Sequence, residues 1–188
     1  MIYREVLKEE GKMKARLNEN DLVLKVLDKS YIEQIMSLQH EIMMNIGNPE
    51  LLAVSDQEEF EEAIQEKGCI MGYVTEDNQL VAMGTYLNFG YDKRNYGYDI
   101  DLTGEALLEV GQIEATVVSV NYRGLGLQRK LCAALEEEAR KRGNKLLCAT
   151  ASPLNEYSVR NFLKLGYTIK KEKLKYGGLR RYILEKVL

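Results

Sequence analysis

The stretch Val117-Val-Ser-Val-Asn-Tyr-Arg-Gly-Leu-Gly-Leu-Gln-Arg-Lys-Leu131 joins an apolar segment, a turn with two glycines and the start of an amphipathic helix. Gly124 and Gly126 permit backbone conformations closed to other residues and keep Cβ atoms away from a ligand. Successive N–H groups can then converge on an anion, and the positive end of the helix adds to the attraction. The pattern predicts an anion-binding turn between a strand and a helix, although a tight turn that only packs has the same pattern.

The helix predicted after this turn begins at Leu127. Its apolar residues recur at intervals of three and four, and it ends at Lys141-Arg142-Gly143, where two cations precede a glycine. The inward-facing residues are Leu127, Leu131, Ala134, Leu135 and Ala139.

Further elements extend on both sides of this unit. Two capping boxes, Ser30-x-x-Glu33 and Ser55-x-x-Glu58, predict helices before it, and residues 155–165 predict one after it. Alternating or continuous apolar runs predict strands at 22–27, 69–74, 80–88, 113–120, 145–150, 167–174 and 181–187. The predicted order is β-α-α-β-β-β-α-β-α-β-β. This favours one mixed-sheet α/β domain at residues 22–188, after a charged N-terminal extension at residues 1–21 that is expected to be partly helical.

Two segments carry a family resemblance. Arg123-Gly-Leu-Gly126-Leu-Gln128 resembles the Arg/Gln-x-x-Gly-x-Gly/Ala signature with which the GNAT superfamily of N-acetyltransferases binds the pyrophosphate of acetyl-CoA. Asn155-Glu-Tyr-Ser158-Val-Arg-Asn-Phe162-Leu-Lys-Leu-Gly166-Tyr167 resembles that family's Asn-x-x-Ala-x-x-x-Tyr-x-Lys-x-Gly-Phe segment. The resemblance implies a GNAT-like domain over residues 22–188. Gln128 departs from the signature, which has Gly or Ala at this position.

The resemblance also implies a chemistry, the transfer of an acetyl group from acetyl-CoA to a primary amine by direct attack in a ternary complex. The family lays the cofactor arm along the fourth strand and its pyrophosphate on the glycine turn. Gln128 can still supply its main-chain N–H if its side chain points away. Asn155 is expected to contact the arm, and it is equally suited to cap the following helix. The implied cofactor-binding residues are Thr116, Val117, Val118, Arg123, Gly124, Leu125, Gly126, Leu127, Gln128, Asn155 and Ser158.

Glu114 is the candidate general base, because several family members carry a catalytic glutamate in the fourth strand. The two-residue period of a strand predicts that Glu114 shares a face with Thr116 and Val118. Partial burial beside the cofactor would raise the pKa of its carboxyl, which suits proton abstraction from an ammonium. The alternative is a charge near the start of the strand that faces solvent.

The sequence does not identify the general acid that would protonate the leaving thiolate. The family commonly has a tyrosine seven residues after the motif asparagine, and this chain has Phe162, which has no proton to give. Tyr157, Tyr167 and Tyr176 are alternative donors, or the thiolate leaves with help only from water and a helix dipole. Cys148 could act as an acyl carrier, but a small core residue is the more common role.

Composition narrows the function classes. The net charge of −3 argues against a general nucleic-acid binder. No apolar run is long enough for a membrane span, and the start lacks the apolar core of a signal peptide, so a cytoplasmic protein without membrane association is expected. The single histidine, His40, has no neighbours at ligand spacing, and no metal site is predicted. Cys69, Cys132 and Cys148 are predicted to be buried, reduced thiols.

The sequence does not distinguish a small-molecule amine, a peptide N-terminus and a lysine side chain as the acetyl acceptor. A homodimer is also compatible with the sequence. Residues 89–101 are rich in tyrosine and aspartate, which suits recognition of a cationic amine or a solvated loop. Two alternative functions stand beside the enzyme. One is a non-catalytic acyl-CoA-binding or partner-binding module on the same fold. The other is a different nucleotide-binding domain, although a repeated βαβ unit and a ribose-binding acid are missing.

Overall fold

A computed structural model of the protein describes residues 21–188. The predicted extension at residues 1–21 lies outside the described residues except for Asp21. The described elements are β1 (Val23–Leu27), α1 (Ile32–Asn45), α2 (Gln57–Glu62), β2 (Gly68–Val74), β3 (Leu80–Leu87), β4 (Val110–Val118), α3 (Leu127–Lys141), β5 (Leu146–Ala151), α4 (Glu156–Lys164), β6 (Thr168–Lys175) and β7 (Leu179–Val187). This confirms the predicted order of strands and helices.

The strands form one mixed sheet of seven strands in the order β1-β2-β3-β4-β5-β7-β6. All neighbouring strands are antiparallel except β4 and β5, which are parallel. A parallel pair needs a crossover connection, and α3 provides it. A single parallel pair in an otherwise antiparallel sheet argues against the nucleotide-binding alternative, which requires repeated parallel βαβ units.

Helices cover both faces of the sheet. On one face α3 and α4 bury Leu131, Leu135 and Phe162 against β3 and β5. On the other face α1 and α2 bury Ile35 and Phe60. Every residue of β3 is buried, because this central strand is covered on both sides.

Both predicted capping boxes are wrong in position. A 3₁₀ turn at Lys29–Tyr31 precedes α1, and its cap is Asp28, whose carboxylate accepts from the Ser30 N–H at 2.9 Å. The capping box of α2 forms one residue later than predicted, between Asp56 and Glu59. In both places a neighbouring aspartate offers a carboxylate, a stronger acceptor than the serine hydroxyl at an N-terminus.

The predicted bounds of β4, 113–120, are shifted by two to three residues. The strand begins at Val110, and a 3₁₀ turn at Val120–Tyr122 follows its end. Gly111 weakened the strand signal, since glycine is depleted in strands. The structure needs a glycine there, because a Cβ at this position would lie 2.7 Å from the Tyr86 ring.

Candidate active site

The sheet forks between its two parallel strands. Pairing of β4 with β5 runs from Val110 and Leu146 to Ile113 and Ala149, and it stops there although both strands continue. From Glu114 onward the β5-facing edge of β4 has no strand partner among the described residues. Such an edge presents main-chain N–H and C=O groups to whatever enters the fork.

A bulge in β4 decides which way Glu114 points. Ala115 has φ +47°, and the register between β3 and β4 shifts between Met83 and Thr85. The extra residue breaks the two-residue period, so Glu114 and Ala115 both face α1 and α2. Thr116 faces α3 instead, where Gln128 donates to its hydroxyl. The predicted common face of Glu114, Thr116 and Val118 is therefore wrong.

Glu114 opens into a cavity of about 210 Å³ on the α1 and α2 face of the sheet. Its carboxylate accepts a hydrogen bond from the Gln112 side-chain amide, and the Tyr96 hydroxyl lies near it. Burial raises the pKa of Glu114, and these two groups offset part of the rise. The Gln112 side chain also accepts from the Tyr96 main-chain N–H at 2.9 Å, so one residue fixes both partners.

The cavity walls combine aromatic rings with charged and hydroxyl groups. Arg94 lies 4.2 Å over the Phe89 ring and pairs with Glu62 at 2.6 Å. Thr85 is 2% exposed, and its hydroxyl has no hydrogen-bond partner within residues 21–188. The lining residues are Ser55, Glu59, Phe60, Glu62, Thr85, Leu87, Phe89, Arg94, Tyr96, Glu114, Ala115, Lys175 and Tyr176.

The segment at residues 89–101 is packed in its middle, at residues 95–97, and exposed at Tyr91, Lys93, Tyr98 and Asp101. Tyr96 is 2% exposed and reaches Glu114, whereas Asp99 pairs with Lys173 and Lys175 of β6. Its aspartates are thus engaged by lysines and arginine of the chain itself. It contributes to the cavity the aromatic rings of Phe89 and Tyr96 and the guanidinium group of Arg94.

Among the tyrosines considered as acids, Tyr176 alone lines this cavity. It follows β6, its hydroxyl contacts the Tyr96 hydroxyl, and it lies 3.1 Å from Thr150 Oγ1 on β5. Tyr157 is 83% exposed on α4, and Tyr167 is buried, with its ring edge-to-face against Phe162 at 5.1 Å. Phe162 thus packs in the core on the α3 side.

The glycine turn has the predicted conformation. Gly124 has φ +90° and Gly126 has φ +71°, values that favour glycine. Gly126 is the N-cap of α3 and has no side-chain capping bond, so the first N–H groups of the helix are left for another acceptor. A Cβ at Gly124 would meet nothing within 4 Å. The positive φ, and not close packing against a neighbouring atom, therefore explains why a glycine stands at position 124, and the space beside it is open.

The side chain of Gln128 bridges three elements. Its amide donates to Thr116 Oγ1 at 3.2 Å and to Ser158 Oγ at 3.1 Å, and its carbonyl accepts from Asn161 at 2.7 Å. Asn155 caps α4 by accepting from the Ser158 N–H at 3.1 Å. The sequence required only that Gln128 point away from the turn, and the structure gives this side chain a specific role in joining β4, α3 and α4.

The other reactive side chains are the single histidine and the three cysteines, of which Cys148 lies on β5 next to the last β4–β5 pair. His40 is exposed on α1. Cys69, Cys132 and Cys148 are buried and free, as predicted, and burial raises the pKa of the Cys148 thiol to about 12. Such a thiol is a poor nucleophile at neutral pH, which argues against an acyl-carrier role. Among residues 21–188, no helix is long and apolar enough to cross a membrane.

Comparison with known proteins identifies relatives of the whole arrangement. The model of the acetyltransferase (GNAT) family matches residues 32–167. Comparison with curated protein sequences finds no match. Many solved structures share the fold.

Three of these structures illustrate the likeness. The structure of yncA from Salmonella typhimurium with its cofactor acetyl-CoA is 19% identical, covering 89% of this chain and 94% of that chain with a TM-score of 0.65. The ribosomal-protein-S18-alanine N-acetyltransferase from Escherichia coli is 14% identical, covering 88% and 93%, with a TM-score of 0.65. A GNAT-family acetyltransferase from Streptococcus pneumoniae is 14% identical, covering 89% and 99%, with a TM-score of 0.64.

Proposed function

The chain belongs to the acetyltransferase (GNAT) family, and we propose that it moves an acetyl group from acetyl-CoA to a primary amine by direct attack in a ternary complex. Two substrates must then meet at one point of the protein. The fork between β4 and β5 is the observation that carries this proposal, because it opens between the glycine turn and the Glu114 cavity.

Acetyl-CoA would occupy the α3 end of the fork. Its pyrophosphate suits the turn at residues 123–128, where the free N–H groups of α3 and the positive end of the helix dipole favour an anion. Its arm suits the open edge of β4, where the main chain of Thr116, Val117 and Val118 can bond to it as to an added strand. Asn155 and Ser158 lie at the start of α4, across the Gln128 bridge from this edge.

The amine would occupy the cavity on the other face. A carboxylate and aromatic rings attract an ammonium group, and Glu114, Phe60 and Phe89 supply these features. The unpaired Thr85 hydroxyl offers a further hydrogen bond to a polar acceptor. The volume suits a small-molecule amine or the amine end of a peptide.

Glu114 is the proposed general base. An amine arrives largely as an ammonium, which cannot attack a carbonyl until it has lost a proton. Burial raises the pKa of Glu114 toward the range in which a carboxylate both accepts and releases a proton readily. Glu114 is also the first residue of β4 beyond the fork, so its carboxylate lies at the point where the acetyl group would arrive.

The test is release of free thiol from acetyl-CoA over a panel of amines that includes small diamines, amino-acid amides and lysine-containing peptides. We expect release that depends on one class of amine, together with the acetylated amine as a product by mass spectrometry. Calorimetric binding of acetyl-CoA without thiol release across the panel would favour the non-catalytic module. Absence of acetyl-CoA binding would contradict both.

A further inference from the structure

Four oxygen groups follow one another across the fork. The Tyr96 hydroxyl lies near the Glu114 carboxylate on the wall of the same cavity and contacts the Tyr176 hydroxyl, which lies 3.1 Å from Thr150 Oγ1. Glu114 and Thr150 are the first residues of β4 and β5 beyond their last pair, Ile113 and Ala149. This line of oxygen groups therefore connects the two sides of the fork at its apex.

The leaving sulfur of a bound thioester would lie beside this line. An arm that enters at the glycine turn and follows the open edge of β4 reaches the apex, where that edge ends. The carbonyl must also lie within reach of an amine in the Glu114 cavity. Both conditions place the reacting carbon and its sulfur between Glu114 and Thr150, next to the Tyr176 hydroxyl.

We propose that Tyr176 is the catalytic acid of this reaction, and that Tyr96 relays to it the proton that Glu114 takes from the amine. This inference rests on the proposed function. It assigns the leaving-group proton, which Phe162 cannot supply, to a tyrosine of the turn after β6.

The protons balance in the proposed acetyl-transfer step. The ammonium first gives one proton to the Glu114 carboxylate, which releases it to solvent, and the amine then attacks the thioester carbonyl with its lone pair, forming a C–N bond. Its second proton becomes acidic and passes to the Glu114 carboxylate. The C–S bond breaks and sulfur keeps the electron pair. Tyr176 gives its proton to sulfur, Tyr96 gives its proton to Tyr176, and Glu114 gives the captured proton to Tyr96, so all three groups return to their starting state.

The direction of the hydroxyl groups follows the charge of Glu114. A tyrosine has one proton to donate, so an ionised Glu114 draws the Tyr96 proton to itself and Tyr176 must donate to Tyr96. Once Glu114 is protonated it becomes a donor, and the line can reverse so that the Tyr176 proton points to the fork. Protonation of the base thereby prepares the acid.

A relay is needed because Tyr176 by itself is a weak acid. Burial raises the pKa of Tyr176 to about 12, whereas an ordinary thiol has a pKa of about 8.5. Donation from Tyr176 alone would be uphill. Donation coupled to proton supply from the Glu114 carboxyl lowers this cost, because the tyrosine regains a proton as it gives one up.

The decisive experiment is a double-mutant cycle on thiol release with Tyr176→Phe, Tyr96→Phe and the double variant. General acid catalysis contributes about 100- to 10,000-fold, so each single variant should lower kcat by about 100-fold or more. Groups in one relay are not additive, and the double variant should be no slower than the slower single variant. Tyr98→Phe is the control, because Tyr98 is 41% exposed, close to the 43% of Tyr176, and its hydroxyl bonds only the Tyr91 carbonyl among residues 21–188.

Acetyl-CoA affinity by calorimetry should be unchanged in all variants. The relay would be overturned if the loss in the double variant equalled the product of the two single losses. It would also be overturned if Tyr176→Phe kept full activity. Neither result would contradict acetyl transfer by the wild type. A wild type that releases no thiol with any amine would overturn the proposed function as well.

A second measurement tests the role of Tyr176 if the phenylalanine variants fold poorly. Replacing Tyr176 by 3-fluorotyrosine keeps its shape and lowers the pKa of its hydroxyl. The basic limb of the kcat profile should then move to lower pH, which a purely structural hydroxyl would not cause. An unmoved limb would overturn the assignment of Tyr176.

Discussion

Glu114 and Thr150 face each other across the fork as the first residues of β4 and β5 beyond their last pair. One carries a carboxylate whose pKa is raised by burial, and the other holds the hydroxyl of Tyr176. The point where the parallel ladder ends is therefore also the point where acid–base groups from distant parts of the chain meet. The end of the β4–β5 pairing thus opens the fork and also brings the candidate acid–base groups together.

Glu114→Gln should lower kcat/KM for the amine by about 100- to 10,000-fold, the usual cost of losing a general base. Shape and polarity are kept, so acetyl-CoA affinity should change little. Activity should partly recover at high pH as free amine becomes abundant. Steady-state rates from pH 6 to 10, with the exposed Glu58→Gln as control, measure the effect. Wild-type kcat/KM at neutral pH would remove Glu114 from the mechanism.

The same substitution should stabilise the protein at neutral pH. A carboxyl with a raised pKa in the folded state is protonated there at about pH 4, and the unfolded chain is only partly ionised, so wild type and Glu114→Gln differ little at this pH. As the pH rises, the unfolded chain ionises more readily, and only the wild type loses stability. Thermal unfolding at pH 4 and pH 7 should show an advantage of the variant that grows with pH. A stability difference between variant and wild type that shrinks as the pH rises would contradict the raised pKa of Glu114.

Gly126→Val should abolish acetyl-CoA binding in a folded protein. A Cβ there would meet only the Arg129 side chain at 3.7 Å, so the chain itself leaves room, while φ +71° costs a substituted residue about 1–2 kcal/mol. Gly143→Val is a matched control, since Gly143 has φ +84° and open space at the other end of α3. Calorimetry and circular dichroism separate the two effects. Equal acetyl-CoA affinity in the two variants would refute a pyrophosphate site at the turn.

Phe162→Leu should cost about 1 kcal/mol of stability and little turnover, because Phe162 packs against Tyr167 in the core. Denaturant unfolding gives the first quantity, and thiol release corrected for folded fraction gives the second. A loss of two or more orders of magnitude in turnover by well-folded protein would show that this position takes part in the chemistry.

Gln128→Ala should keep acetyl-CoA affinity within about threefold, because the main-chain N–H at this position is retained. It should lower stability by about 1 kcal/mol, since Thr116, Ser158 and Asn161 lose a shared partner. Calorimetry and urea unfolding test the two halves separately. A larger drop in affinity with an unchanged fold would mean that the Gln128 side chain itself binds the cofactor.

The sequence predicted the elements that depend on local signals. The glycine turn and α3 follow from backbone freedom and a helical period, and both have the predicted bounds. The order of strands and helices along the chain followed from apolar runs and helical periods, whereas the order of the strands within the sheet was not predicted. The capping boxes were displaced by one or two residues because several acidic and hydroxyl side chains compete at each helix start.

The interior of the site depends on features with no local signal. Alanine does not mark a residue with positive φ, so the bulge at Ala115 and the face of Glu114 could not be read from the sequence. Tyr96 and Tyr176 are 80 residues apart, and their contact exists only because β6 folds back beside the 89–101 segment. Tyr96, Gln112 and Thr85 were missed for this reason, although the tyrosine-rich composition of residues 89–101 pointed to the region.

The tip of the β6–β7 hairpin carries two residues of the candidate acceptor cavity. The matched family segment ends at residue 167, whereas Lys175 and Tyr176, which close the candidate acceptor cavity, lie beyond it. Under the proposed function, acceptor recognition thus combines these two residues with cavity residues of the matched segment between positions 55 and 115. Substituting Lys175 therefore offers a way to alter acceptor preference from a position distant in sequence from residues 123–128, where acetyl-CoA is proposed to bind.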